Sequence, residues 1–281
     1  MTIAVLMTCH NRVETTLACL RRLVPQLGDG GRVFLVDDGS ADSTGVKVKA
    51  EFPDVNVING DGTLYWTKGM HLAWEAAIKS GFMFDFFLWL NDDVMLNPDA
   101  ISNLISDYTQ LTTDHQSLTT IHSSMPSPVI VGACSEDDAE SACSYGATDA
   151  KDVKIAPNGS SPQRAWGWFN GNVVLVSNEV FGKVGMISPD YTHARADYDY
   201  AERLKLARVP FYVSSKYVGA CPFDFAEKVR GKGLCERLSW LWKPGYFNLH
   251  DLYLIRSRYH GYIAAIISCA RLIQIVLRGW K

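Results

Sequence analysis

At 281 residues, with 47% hydrophobic content and a formal net charge of −3, the chain has ample material for a folded core and offers no reason to expect a nucleic-acid partner. Its seven cysteines are odd in number and include no CxxC pair, which argues against a zinc cluster and a disulfide framework and fits a reduced, cytoplasmic setting.

The opening stretch, MTIAVLMTCHNR, lacks the basic start and small-residue cleavage site of a secretion signal. It reads as a first strand over residues 3–7 that ends in the polar turn TCHNR. VETTLACLRRL follows, with Val13, Leu17, Leu20 and Leu23 at helical spacing. A second buried strand, VFLV at 33–36, runs into DDGSADST, and VNVI at 55–58 predicts a third. WTKGMHLAWEAAIKSG predicts a helix stopped by Gly81. FFLWL at 86–90 is apolar at every position, which suits a strand buried on both faces of a parallel sheet. It runs directly into Asn91, Asp92 and Asp93, beyond a strand's carboxyl end, where open α/β sheets place their ligands. Asn97, Pro98 and Asp99 mark a turn and the start of a helix.

Residues 109–127 are polar and Ser/Thr-rich, which predicts a loop; VIVGAC resumes as strand; residues 135–165 predict a mobile excursion or an irregular hairpin. WGWFNGNVVLVS predicts a strand, SNEVFGKVG a short helix capped by Ser177 or Asn178, ADYDYAERLKLAR a longer helix, and PFYVSS a return to the sheet. The alternation of strand and helix predicts an α/β fold with a doubly wound, mostly parallel central sheet.

The charge is uneven. Residues 228–281 carry ten Lys or Arg against Glu236 and Asp251, a net of +8, which leaves −11 for residues 1–227. Residues 263–277, IAAIISCARLIQIVL, are too few, at ~1.5 Å each, to cross a bilayer core of ~30 Å. On a helical wheel Ser268, Arg271, Gln274, Arg278 and Lys281 share one arc, while Ile263, Ile266, Ile267, Ile273 and Leu277 lie largely elsewhere. That is the layout of an interfacial amphipathic helix; a terminal helix packed on the body is the other reading. Trp240, Trp242, Tyr246, Tyr253, Tyr259, Tyr262 and Trp280 among the basic residues favour an anionic membrane surface.

Four polar clusters fall at strand ends or beside them: residues 8–12, 37–40, 91–93, and Asp197 with Asp199. Carboxylates gathered at one sheet edge repel one another unless a cation sits between them. Hard oxygen ligands suit Mg²⁺ or Mn²⁺, which usually also hold substrate phosphates. Neither a GxxxxGK[ST] loop nor a GxGxxG fingerprint is present to explain phosphate binding otherwise.

TCHNR, FLVDDGSADST, FLWLNDDVML, FNGNVVLVSNEVFGKVG and HARADYDYAERLKLARVPFYV, in that order and over nearly the whole chain, resemble the family 2 glycosyltransferases with the GT-A fold. GDGTLYWTKGMHLAWEAA and RSRYHGYIAAIIS resemble the branch found in bacterial O-antigen and capsule clusters, where rhamnosyltransferases are common. The resemblance implies a GT-A domain over residues 1–225, followed at 226–281 by a basic, amphipathic helical extension. It implies an inverting transfer from a dTDP- or UDP-sugar to a saccharide, with Mg²⁺ or Mn²⁺. The basic tail adds the expectation of a polyprenyl-diphosphate-linked acceptor at the inner face of the cytoplasmic membrane. Thr8 and Asp38 would line the nucleoside pocket, with Asp38 accepting a hydrogen bond from the base. Asp93 would hold the metal, with Asn91 at the motif's first position in place of an acid, and Asp92 would contact the ribose or brace the loop. Arg12 and Lys68 would help neutralise the leaving diphosphate. Asp197 would be the general base, although Ala196 replaces the Glu that the family usually places before it. Asp199 would point about 200° further around the helix.

Plainer readings stand beside these. Asp37 and Asp38 can be a turn with an Asx cap, and Asn170-Gly171 a tight turn. Trp66, Trp166 and Trp168 can be core or can stack on a sugar, and His193 and His260 can be structural or can contact metal or acceptor. A sugar-nucleotide pyrophosphorylase would share the α/β layout, but would carry a glycine-rich basic loop where TCHNR stands. A non-catalytic nucleotide-sugar-binding module would explain the missing Glu and the Asn at 91.

Overall fold

The computed structural model describes residues 1–118, 126–223, 233–244 and 248–278. Four strands, β1 (Ile3–Cys9), β2 (Gly31–Asp37), β3 (Asn56–Asn59) and β4 (Phe86–Leu90), pair in parallel in the order β3-β2-β1-β4. Their connections carry α1 (Val13–Leu23), α2 (Thr44–Glu51) and α3 (Tyr65–Lys79). After β5 (Met95–Leu96) and α4 (Ala100–Leu118) come β6 (Val129–Ser135), β7 (Cys143–Tyr145), β8 (Gln163–Ala165) and β9 (Val173–Ser177). Then follow α5 (Asn178–Val184), α6 (Ala196–Leu206) and β10 (Phe211–Ala220). The sheet continues from β4 through β9, β6 and β10 to β5, with β9 antiparallel to both β4 and β6. β10 is parallel to β6, so β3, β2, β1, β4, β6 and β10 share one direction. This mostly parallel sheet, with helices on both faces, is the GT-A arrangement.

Burial on both faces explains the unbroken apolar strands. In β1, Ala4 and Leu6 join Met70, Trp74 and Ala77 of α3, while Ile3, Val5 and Met7 join Leu17 and Leu20 of α1 and Ile101 and Leu104 of α4. FFLWL divides the same way: Phe87 and Trp89 face one cluster, Phe86, Leu88 and Leu90 the other. Ser177 caps α5 by accepting the Val180 amide at 3.3 Å.

Three sequence expectations are corrected. Residues 109–118 continue α4 instead of forming a loop: the hydroxyls of Thr109 and Thr112 donate to the carbonyls of Ile105 (2.8 Å) and Tyr108 (3.0 Å). Residues 119–125 lie outside the described residues. The 135–165 segment holds two short strands, β7 on β6 and β8 on β10, because β6 runs past β9 and β10 past β5, and the stretches beyond those neighbours offer unpaired backbone groups. Of WGWFNGNVVLVS only the last five residues form a strand, and Phe169 makes an isolated bridge to Ala147.

The expected boundary at 225/226 lies outside the described residues, as do Lys228, Tyr246, Trp280 and Lys281. Beyond it α7 (Leu234–Ser239), α8 (Leu249–His260) and α9 (Tyr262–Arg278) form a small cluster around Leu241, Leu252, Leu272 and Val276. α9 shows two apolar faces. One buries Ala265, Leu272 and Val276; the other leaves Ile263 (77%), Ile266 (61%) and Leu277 (50%) exposed. No helix among the described residues is long and apolar enough to cross a membrane.

Candidate active site

At the carboxyl ends of β1, β2 and β4 opens a cleft of about 810 Å³ whose walls include Thr8, Arg12, Asp38, Trp66, Asp93 and His193. A hollow of similar size, about 720 Å³, lies at the opposite end of β2, against Gly31, Arg32 and Val33. The position of the acid pair decides between them.

The cleft is assembled from loops that follow strands. Asp37 and Asp38 end β2 and are both buried. Asp37 accepts from the amides of Ser40 (3.1 Å) and Gly45 (2.8 Å), and so ties the DDGS turn to α2. Asp38 accepts from Gly62 (2.8 Å) and Tyr65 (2.8 Å) and holds the start of α3. Tyr65 sits at φ 52°, a left-handed conformation that a bulky residue keeps only when its surroundings impose it. Gly39, at φ 68°, lies so close to Gly62 that an added Cβ would come within 2.9 Å of that backbone nitrogen. The cap reading thus describes what Asp37 and Asp38 do in the free protein, while Asp38 also lines the cleft.

Asp92 and Asp93 stand in the turn after β4. Asp92 is buried; it accepts from Thr16 Oγ1 (2.9 Å) and Arg12 Nη1 (2.9 Å), and burial pushes its carboxyl up to about 6. Asp93 is partly exposed and accepts from Arg12 Nη2 at 2.9 Å. One guanidinium therefore spans both acids. The Cys221 thiol donates to Asp93 Oδ1 at 3.7 Å, and burial raises its pKa first of all, with Asp93 adding to that rise.

Trp66 forms the next wall. Its indole N–H donates to Asn91 Oδ1 at 2.7 Å, so the Asn91 side chain orients a ring. A Cβ on Gly171 would overlap that ring and would lie 3.5 Å from the Cβ of Asp197. Asp197 opens α6 just after Arg195, which has φ 73°. Its carboxylate accepts from the amides of Gly171 (3.1 Å) and Tyr198 (2.9 Å), yet burial outweighs these bonds and raises its pKa to about 6. Asp199 is fully buried and turned away, accepting from Tyr191, Arg203, Arg258 and Tyr259 at 2.8–3.0 Å.

Of the residues singled out in the sequence, the fold brings Thr8, Arg12, Asp38, Asn91, Asp92 and Asp93 into one cleft, with Asp197 behind Trp66. Lys68 is the exception. Thr67 and Gly69 pack inward, Gly69 against Thr8, which leaves Lys68 exposed on α3, outside the residues that line the cleft and acting on Asp61. Sequence reasoning missed Cys221, which follows β10 in no recognisable motif and reaches Asp93 only through the β6–β10 pairing. It also missed the support under His193, whose amide and that of Thr192 donate to the buried Asp251 of α8.

Among the described residues no three His, Cys, Asp or Glu side chains converge as a ready-made metal cage. One exposed carboxylate beside a second acid nevertheless suits Mg²⁺ or Mn²⁺, which are commonly held by one or two carboxylates plus substrate phosphates.

Comparison with known structures supports the fold. A mannosyltransferase from Pyrobaculum calidifontis, solved with GDP-Man and Mn²⁺, is 12% identical with a TM-score of 0.54, over 99% of this chain and 72% of that one. S. aureus TarS (residues 1–349) is 13% identical with a TM-score of 0.52, over 96% and 73%. GalNAc-T7, solved with UDP, GalNAc and Mn²⁺, is 12% identical with a TM-score of 0.55, over 96% and 54%. Curated proteins give no significant sequence match. The chain has the GT-A fold, and its residues 4–128, from β1 through the acid pair and α4, match the family model described as Glycosyl transferase family 2.

Proposed function

We propose that this chain transfers a sugar from a nucleoside-diphosphate donor, a dTDP- or UDP-sugar, to a saccharide hydroxyl with inversion, as a step in surface polysaccharide (O-antigen or capsule) assembly. The observation that carries the reading is that Asp93 lines the cleft at the carboxyl ends of the strands while Asp197 lies directly behind Trp66, the ring that forms one of its walls. The Mn²⁺ complexes of two structural neighbours support a divalent metal. Asp93 would hold it, and the bound ion would supply positive charge to the donor's diphosphate. Arg12, already aimed at both acids, adds a second cation within reach of that diphosphate. Asp197 accepts the acceptor's hydroxyl proton as the new glycosidic C–O bond forms at the anomeric carbon. The old anomeric C–O bond breaks at the same time, and its electron pair leaves with the nucleoside diphosphate. The upward shift to about 6 leaves Asp197 ionised near pH 7, yet more basic than an ordinary Asp.

The +8 tail and the exposed Ile263, Ile266 and Leu277, with Arg271 and Arg278 on the same helix, support peripheral contact with an anionic membrane and a lipid-linked acceptor. The deciding experiment is calorimetry with UDP, dTDP and GDP, with and without Mn²⁺, on wild type and Asp93→Ala. Binding of one nucleotide only with metal and only to wild type is the expected result; no binding under any condition would overturn the reading.

A further inference from the structure

A general base works within about 2.6–3.2 Å of the atom whose proton it takes. Asp197 is set back from the cleft, which is walled at that point by the ring of Trp66. Gly171 joins the two: its amide donates to Asp197 Oδ2 at 3.1 Å, and a Cβ on it would overlap the edge of the Trp66 ring. A hydroxyl entering the cleft therefore meets the indole before it meets the base.

Two of the restraints on residues 65 and 66 end on residues that line the cleft. The Trp66 indole N–H donates to Asn91 Oδ1 at 2.7 Å, and the Tyr65 amide donates to Asp38 Oδ2 at 2.8 Å. Tyr65 is the residue held at φ 52°, and left-handed positions of bulky residues gather where a chain switches. The backbone just beyond is tied to the body instead. Thr67 Oγ1 donates to the His193 carbonyl at 3.1 Å, and the His193 amide donates to Asp251 at 3.2 Å. The movable part is thus the half-buried side chain of Trp66, which rests edge-on against fully buried Trp89, with ring centroids 6.3 Å apart and planes at 74°. One net hydrogen bond favours a position by a factor of about five, and an aromatic edge contact adds a similar factor. Ligand binding can reverse a bias of that size.

Resting on the glycosyl-transfer reading, we propose that Trp66 is a gate on the base: latched to Asn91 in the free protein, its indole fills the place beside Gly171 that the acceptor hydroxyl takes, and it swings out when a nucleoside diphosphate occupies the cleft. Asn91 is the latch because it stands two residues from Asp93 in the same turn, where a diphosphate and its cation draw on oxygen ligands. Its Oδ1 leaves the indole N–H as those ligands are taken up. Donor occupancy thereby creates the acceptor's place.

The test is ¹⁹F NMR of the full chain labelled with 5-fluorotryptophan, in which Trp66→Phe identifies the Trp66 resonance among those of the eight tryptophans. Gly171→Ala puts a methyl group in the seat of the ring edge, and Asn91→Ala removes the latch; thermal melting checks that each variant is folded. Without ligand, both variants are expected to move the Trp66 resonance away from its wild-type position. UDP, dTDP or GDP with Mg²⁺, whichever calorimetry shows to bind, is expected to move the wild-type resonance to the position seen in Gly171→Ala. A nucleotide that binds without moving the resonance would overturn the gate and leave the transfer reading standing. If no nucleotide binds, the transfer reading fails, and a Trp66 resonance unmoved in both ligand-free variants overturns the latch as well. Access to the base is read separately, by coupling of a water-soluble carbodiimide to Asp197 followed by peptide mass analysis. Trp66→Ala is expected to react about fivefold or more faster than wild type, and equal rates would show that the ring does not guard Asp197.

Discussion

In the proposed transfer two side chains carry most of the chemistry at the residue scale, and each makes a distinct prediction. Asp197→Asn keeps the shape and removes the base, so kcat is expected to fall about 10²–10⁴-fold while donor affinity holds, as steady-state kinetics with calorimetry will show. Because burial raises the Asp197 pKa to about 6, the base is progressively protonated below that pH. The kcat profile should therefore lose activity on the acid side of about 6, and a profile flat down to pH 4.5 would remove Asp197 from the role. Arg12 presents a different case. Its guanidinium neutralises Asp92 and Asp93 at 2.9 Å each, though its side chain is 45% exposed and solvent weakens the pairing. Arg12→Gln is expected to cost about 1 kcal/mol in metal-free protein. Mn²⁺ should then raise the melting temperature of the variant more than that of wild type, because it supplies the missing positive charge. Equal shifts in the two proteins would show that Arg12 and metal do not serve the same acids.

Among the elements, α8 is held to α6 by the network around Asp199, which has no exposed surface and accepts from two arginines and two tyrosines. Removing the acid leaves Arg203 and Arg258 without their buried partner. Asp199→Ala should therefore destabilise the fold by about 3 kcal/mol in denaturant titration. Ser177→Ala, which deletes the cap of α5, should cost only about 1 kcal/mol. Equal losses would mean that the α6–α8 network is dispensable. The network also explains why α8 belongs to the site's surroundings: through Asp251 and Arg258 it braces the segment that carries His193 and Asp190 just before Asp197.

For the whole molecule the issue is where it works. An acidic body with a basic, partly apolar tail is polarised for a negatively charged surface. Sedimentation with vesicles containing anionic lipid is expected to pull down wild type, and Ile266→Ser/Leu277→Ser much less, since those side chains are 61% and 50% exposed and their loss leaves the packed face of α9 intact. Equal pull-down of both proteins would place membrane contact elsewhere.

The sequence alone determined β1 to β4, β6 and β10 and the placement of acids at the ends of β2 and β4. Both rest on short-range physics: FFLWL can only be buried on both sides, and Asp-Asp at a strand's end must meet solvent, a cap or a cation. Local pattern also placed the Ser177 cap and the α6 helix, but it misread residues 109–118, where threonine hydroxyls satisfy themselves along a helix. Tertiary structure decided the rest. Arg12 meets Asp92 and Asp93 across 80 and 81 residues, Cys221 meets Asp93 across 128, and Asn91 turns to the Trp66 indole because strand pairing puts α3 beside β4. Lys68, plausible by type, points outward because its neighbours Thr67 and Gly69 take the inner face of the helix. Propensity describes a residue's neighbours along the chain, and the partners that assign these side chains their roles come from sheet register and helix packing.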